Sequence, residues 1–235
     1  MHRCIISITA YLSITAYLLF TPALARGGET AEPSAAEAEV EAGSNGSSGV
    51  AGWFRIDTDS LGTQFWVGAA HPVGSITLAS DVFLLGSWGE LDIGPSFALG
   101  KALLTPMVGL GFDFAATDFT TLIGHFYTIY DADKIYFESW IQLFMNSPFA
   151  DGAEDVLYTR DFLLYKLSDM VHVGPQVEVS YGVTEAEDVL SLPIGGRVNL
   201  VYGPRHTLGL FLGYETEAPE GADGIAGRFT FIQTW

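Results

Sequence analysis

The chain has 235 residues, of which 49% are hydrophobic and only 16% charged, and its 28 Asp and Glu against 10 Lys and Arg give a net charge of −18. That balance excludes a general nucleic-acid binder, which needs a basic face. The one cysteine, Cys4, excludes both a disulfide framework and a cysteine-type zinc site.

Residues 1–25 have the layout of a cleavable export signal: Arg3, an apolar run from Ile5 to Phe20, the helix-breaking Pro22, then Ala23-Leu24-Ala25. The run carries a tandem SITAYL-SITAYL and is shorter than the roughly 20 residues of a spanning helix. An uncleaved anchor is the alternative. Cys4 precedes the apolar core, the wrong place for lipid attachment after cleavage. Residues 26–51 carry Glu29, Glu32, Glu37, Glu39 and Glu41 among Gly, Ser and Ala, with no aromatic residue. Such a segment cannot bury enough apolar area to offset its ordering entropy, so it reads as a disordered acidic leader.

From residue 52 to 235 the pattern has period two, the mark of strands with two unlike faces. In VHVGPQVEVSYG, Val171, Val173, Pro175, Val177, Val179 and Tyr181 share one face, and His172, Gln176, Glu178 and Ser180 the other. Alternation bounded by Gly, Pro and Asp predicts strands over 52–58, 63–70, 75–85, 88–99, 103–115, 119–130, 134–144, 157–168, 171–182, 190–202, 207–217 and 225–235. Most match the roughly 9–11 residues of a tilted membrane strand. The expected fold is all-β, a transmembrane up-and-down antiparallel barrel of about twelve strands. A ten-strand version would lose the first pair, Gly52 to Ala70.

Every long connection falls on one side, opposite a set of short turns, as such a barrel requires. Tyr130, Tyr165, Tyr202 and Trp235 fall at the short-turn ends of their strands, and Phe114, Tyr181 and Tyr214 near the other rim. All seven face outward by parity, placing them in two interfacial aromatic belts. The competing fold is a soluble sandwich or lipocalin-like barrel, which would turn the Val, Leu, Ile and Phe rows inward.

The C-terminal GRFTFIQTW resembles the closing strand of Gram-negative outer-membrane barrels, with Phe229, Phe231 and Trp235 on its alternating face. Gln233 departs from that pattern, where a hydrophobic residue is usual, and Phe is commoner than Trp at the end. The resemblance implies an outer-membrane location, contact with outer-membrane lipid and recognition by the barrel-assembly machinery through this strand. It names a class and no particular family.

Hairpin register predicts a ladder Arg160–Glu178–Arg197–Glu215–Arg228 along one inner wall. The strands from 75 to 130 instead carry inward Asp81, Glu90, Asp92 and Asp113 without an inward Lys or Arg. These two walls suggest a pore with a transverse field that orients a passing solute. The competing reading is a closed barrel with a structural charge network. Trp140, Phe211, Phe83 and Met107 also point inward and would narrow the lumen.

Asp59, Asp118, Asp151, Glu154, Asp155, Glu185, Glu187, Asp188, Glu220 and Asp223 are assigned to the outer loops, without a Lys or Arg. They suggest cation attraction at the mouth, with Ca²⁺ or Mg²⁺ as the ions, or simply a solvated anionic surface. ADGAED (150–155) lacks the full spacing of a calcium loop. His71 and His206 fall in turns, and His125 and His172 face inward. With no GxSxG, HExxH or P-loop string, a catalytic role is not expected, and a lipid hydrolase is the residual enzyme reading. The sequence therefore points to a passive small-solute channel, with a non-conducting structural or surface-interaction barrel as the alternative.

Overall fold

The computed structural model describes residues 50–217 and 224–235. The export signal, the leader up to residue 49, and the loop acids Glu220 and Asp223 lie outside the described residues. Within them the strands are β1 (Ala51–Asp59), β2 (Gly62–Val73), β3 (Ile76–Leu85), β4 (Trp88–Leu99), β5 (Ala102–Asp113), β6 (Asp118–Asp131) and β7 (Ile135–Met145). They continue with β8 (Val156–Lys166), β9 (Val171–Gly182), β10 (Val189–Ser191), β11 (Pro193–Tyr202), β12 (His206–Glu215) and β13 (Gly224–Thr234). Each expected strand is present, including the first pair, whose β1 is hydrogen-bonded to both β2 and β13.

Neighbours pair antiparallel in chain order, and β13 on β1 together with β8 on β9 closes the ring. β10 and β11 form one stave broken at Leu192, so thirteen segments make a twelve-stave barrel. Pro193 has no N–H to offer the ladder. At the break, Ser191 Oγ and the Leu192 N–H instead donate to the Glu215 carboxylate at 2.5 and 2.6 Å. Glycines with positive φ, such as Gly86 (59°) and Gly100 (62°), make the two-residue turns. At the seam, Gly52 and Trp235 exchange backbone hydrogen bonds of 3.2 and 3.0 Å.

The two faces decide the environment. On β12, Phe211 is 2% exposed, while Leu210 and Leu212 on either side are 59% and 63% exposed. Elsewhere the inward residues are mostly polar or charged, and Arg55, Asp57, Asp92, Arg160 and Arg197 are all buried. A soluble barrel has the opposite arrangement, because exposed leucine rows in water cost about 25 cal/mol per Å². The outer wall is built for hydrocarbon. Tyr130, Tyr165, Tyr202 and Trp235 stand on it near the short-turn rim, and Tyr181 and Tyr214 near the long-loop rim. Phe114 lies just past β5 against Phe112, with ring centroids 5.2 Å apart. The outer wall is not apolar throughout: Asp161 follows Arg160 and precedes Phe162, and its register partner on β7 is Ser139, itself opposite Thr128.

Candidate functional site

The middle of the lumen is filled by an ionic network whose members come from distant strands. β1 and β7 stand on opposite sides of the ring. Arg55 on β1 nevertheless reaches Glu138 on β7, Nη1 to Oε1, at 2.9 Å. Arg55 Nε and Arg160 Nη1 both donate to Asp57 Oδ2 at 3.0 Å. Glu138 also accepts from Trp140 Nε1 at 2.8 Å and from the Tyr136 hydroxyl at 2.7 Å. The guanidinium carbons of Arg55 and Arg160 lie 5.1 and 5.0 Å from the Trp140 ring centroid. Burying these charges is tolerable because each carboxylate meets a guanidinium, Asp57 two of them and Glu138 one together with two neutral donors.

A second group lies on the β8–β13 side. Arg228 binds Glu178 at 2.8 Å and Asp59 at 2.6 Å. Glu178 also accepts from Gln176 Nε2 at 2.7 Å and from Tyr158 at 2.9 Å. Arg197 donates to Gln176 at 3.0 Å and Asn199 at 2.7 Å, with its guanidinium 4.4 Å from the Phe162 ring centroid. Above this layer, toward the long loops, is a vestibule of about 420 Å³. Glu90, Gln142, Arg160, Glu178 and Arg228 contribute its polar lining. Its apolar lining includes Trp66, Phe83 and Trp140, which pack together, with Trp66 centred 4.3 Å from Phe83 and 5.2 Å from Trp140.

The expected ladder is not formed as drawn. Arg160 and Glu178 are register partners, but Arg160 bonds Asp57 and Glu178 bonds Arg228. Arg197 lies opposite Gly174 and Phe211, four positions out of line with both Glu178 and Glu215. Glu215 lies opposite Gly224, and Arg228 opposite Phe211, so those two are also four positions apart. The bulge between Val189 and Ser191 shifts the register by a single residue, so the four-place offset is set by where Arg197, Glu178 and Glu215 fall along their strands.

On the other wall, Asp81 and Asp92 are direct register partners, and Glu90 lies two residues from Asp92 on the same face. Asp113 is a correction: its carboxylate accepts the N–H groups of Ala115 and Ala116 at 2.7 and 3.2 Å, so it caps the β5–β6 turn. Trp140, Phe211, Phe83 and Met107 are all buried inside the barrel.

Several loop acids also have structural work. Asp59 is the last residue of β1 and turns inward to Arg228. Asp118 and Asp188 accept the N–H of the residue that follows each, at 2.8 Å. Glu154 accepts the N–H groups of Thr184, Glu185 and Ala186 at 2.8, 3.0 and 2.7 Å, clamping two long loops together. Loss of water contact pushes its carboxyl up, but these N–H groups outweigh that and hold it below the usual carboxylate range. The Ser147 N–H, with the Ser147 hydroxyl and the Asn146 N–H, likewise holds Asp155 low. Glu154 and Asp155 are thereby committed to backbone N–H groups of the loops. Of the histidines, His71 is on β2 bonded to Ser80 at 3.0 Å, and His206 is the first residue of β12, stacked on Tyr202. His172 lies opposite Lys166 near the short-turn rim. His125 is buried at mid-barrel, centred 5.4 Å from the Trp140 ring.

The residues that hold the centre but escaped sequence reasoning are Arg55, Asp57 and Glu138. Parity puts all three on the polar face. Their union across the lumen leaves no local trace.

No family model and no curated protein sequence matches the chain. Solved structures do. A KdgM porin aligns over 79% of this chain and 99% of its own, at 9% identity and a TM-score of 0.50. A NanC porin aligns over 80% and 100%, at 7% identity and a TM-score of 0.51. A second KdgM structure, in complex with disordered oligogalacturonate, aligns at 10% identity and a TM-score of 0.50. The chain thus has the porin-like β-barrel fold of outer-membrane channels.

Proposed function

We propose that this barrel sits in the bacterial outer membrane as a channel for small solutes, with an outward vestibule and an ionic constriction at mid-barrel. The observation that carries the reading is the vestibule: about 420 Å³ of space lined by charges of both signs, inside a wall that faces hydrocarbon. Glu90, on the wall that also carries Asp81 and Asp92, lines the vestibule from one side, and Arg160 and Arg228 from the other, so a solute crossing between them meets a transverse field. Among the described residues the inward carboxylates exceed the inward cations. The solute class is therefore cationic or zwitterionic, unlike the polyanion bound to the second KdgM structure. Delivery to the membrane rests on the export signal and on the terminal β-strand, read by the assembly machinery. The Arg55–Glu138 pair across the lumen favours the second reading, a non-conducting surface barrel.

Single-channel recording of the refolded barrel in a planar bilayer separates the two. The channel reading expects discrete conductance steps with a reversal potential on the cation side, and a stronger cation preference in Arg228→Gln. Silence in both the wild type and Arg55→Ala, which removes the side chain spanning the lumen, overturns it.

A further inference from the structure

The acidic wall contains a group of side chains that the ionic network does not use. Asp81, Asp92 and His125 each present one ligand atom, and these atoms all lie within 4.8 Å of one another. All three side chains are buried, Asp92 completely. Asp81 Oδ1, both oxygens of Asp92 and both ring nitrogens of His125 have no hydrogen-bond partner within the protein. Buried polar atoms are rarely left so, and five at one spot require an explanation.

The backbone is arranged to bring them together. Asp81 on β3 is opposite Asp92 on β4, and Asp92 is opposite Gly109 on β5. His125 on β6 is opposite Met107, two residues along β5 from Gly109. The Asp92 carboxylate lies over Gly109, where a Cβ would stand 2.0 Å from Oδ1. Glycine at this position clears the way from β4 toward β6. Glu90, two residues from Asp92, lines the vestibule; its Oε1 accepts from Gln142 at 3.1 Å and its Oε2 has no partner. It marks a route for an ion from the outer mouth to the cluster.

We infer that Asp81, Asp92 and His125 form a lumenal binding site for a first-row divalent cation, with Zn²⁺ as the probe. Two carboxylate oxygens and one imidazole nitrogen are a ligand set for zinc or manganese, whereas calcium and magnesium take oxygen alone. The cation neutralises two carboxylates that otherwise face each other, and it fills the coordination the protein leaves unmet. Three protein ligands leave a further position for water or for Glu90. The inference does not depend on the barrel conducting.

The test is equilibrium Zn²⁺ binding to the chelator-stripped, refolded barrel in detergent, by calorimetry, with X-ray absorption of the loaded protein. One Zn²⁺ per barrel with N/O coordination that includes an imidazole is expected. Asp92→Asn and His125→Gln each weaken binding by at least about 100-fold, the upper range for losing even an outer partner of a metal site. Gly109→Ala, which drives a methyl into the Asp92 carboxylate, weakens it as well. Asp133→Asn, on an exposed turn, leaves it unchanged. Folding of every variant is read from heat-modified gel migration, and His125→Gln serves if Asp92→Asn does not fold. Absence of stoichiometric Zn²⁺ in the folded wild type, or equal binding by wild type and His125→Gln, overturns the proposal. In that event the carboxyls are held by shared protons, which an infrared band of protonated carboxyl in the wild type, lost in Asp92→Asn, would show.

Discussion

Replacing Arg55 by Met removes the cation that spans the lumen while keeping an unbranched chain against Trp66 and Trp140. The guanidinium makes charged hydrogen bonds to Asp57 and Glu138 at 3.0 and 2.9 Å, both partners being buried. Removing one member of a buried pair costs about 3–5 kcal/mol, chiefly because the other charge is left uncompensated. Here the partners keep some support. Asp57 retains Arg160, and Glu138 retains Trp140 and Tyr136. The expected loss therefore falls at the lower end, about 3 kcal/mol. Glu138→Gln removes the carboxylate's charge and keeps an acceptor for the same two donors. Added to Arg55→Met, it should restore about 2 kcal/mol of that loss, because the stranded charge is gone. The assay is urea unfolding of the barrel in lipid vesicles for the wild type, both single variants and the double variant. Additivity of the two substitutions within about 0.5 kcal/mol would show that the Arg55–Glu138 pair is not coupled and would refute this reasoning.

Two further outcomes follow from the rim and the seam. Glu154 and Asp155 are held below the usual carboxylate range by N–H donors, so their stabilisation of the loops is complete above about pH 4.3 and is lost as pH falls through their lowered values. Pepsin cleavage within 146–155 and 183–188, normalised to an unstructured peptide, should rise in that acid range, and a flat ratio would contradict the clamp. At the seam, a Cβ on Gly52 would lie 2.5 Å from the Trp235 ring and 2.8 Å from the Gly68 carbonyl oxygen. Gly52→Val should destabilise the closed barrel by about 1–3 kcal/mol, seen as a lower temperature for the heat-modified gel shift. An unchanged shift would mean the ring has room to move.

Strand number and strand faces were legible because both are local. A period of two, interrupted by Gly, Pro and Asp, is written in consecutive residues, and hydrocarbon on one side of a sheet forces the same alternation on every strand. The outward direction of Tyr130, Tyr165, Tyr181, Tyr202 and Tyr214, and the inward direction of Arg160, Glu178, Arg197 and Arg228, follow from parity alone. The partners of those charges did not follow. Counting across a loop pairs Arg197 with Glu178, but on its strand Arg197 stands opposite Gly174, four places from Glu178, and bonds Gln176 and Asn199. Glu154 read as a free loop acid until a second loop arrived to supply its donors. Residues 83 apart in sequence, Arg55 and Glu138, meet only because the ring closes and brings opposite walls within reach of two long side chains. Alternation is a property of neighbours along the chain, so the amino-acid order sets which way each side chain points. Contact across a lumen depends on ring size, register and the bulges that shift it, so only the closed barrel decides which charges touch.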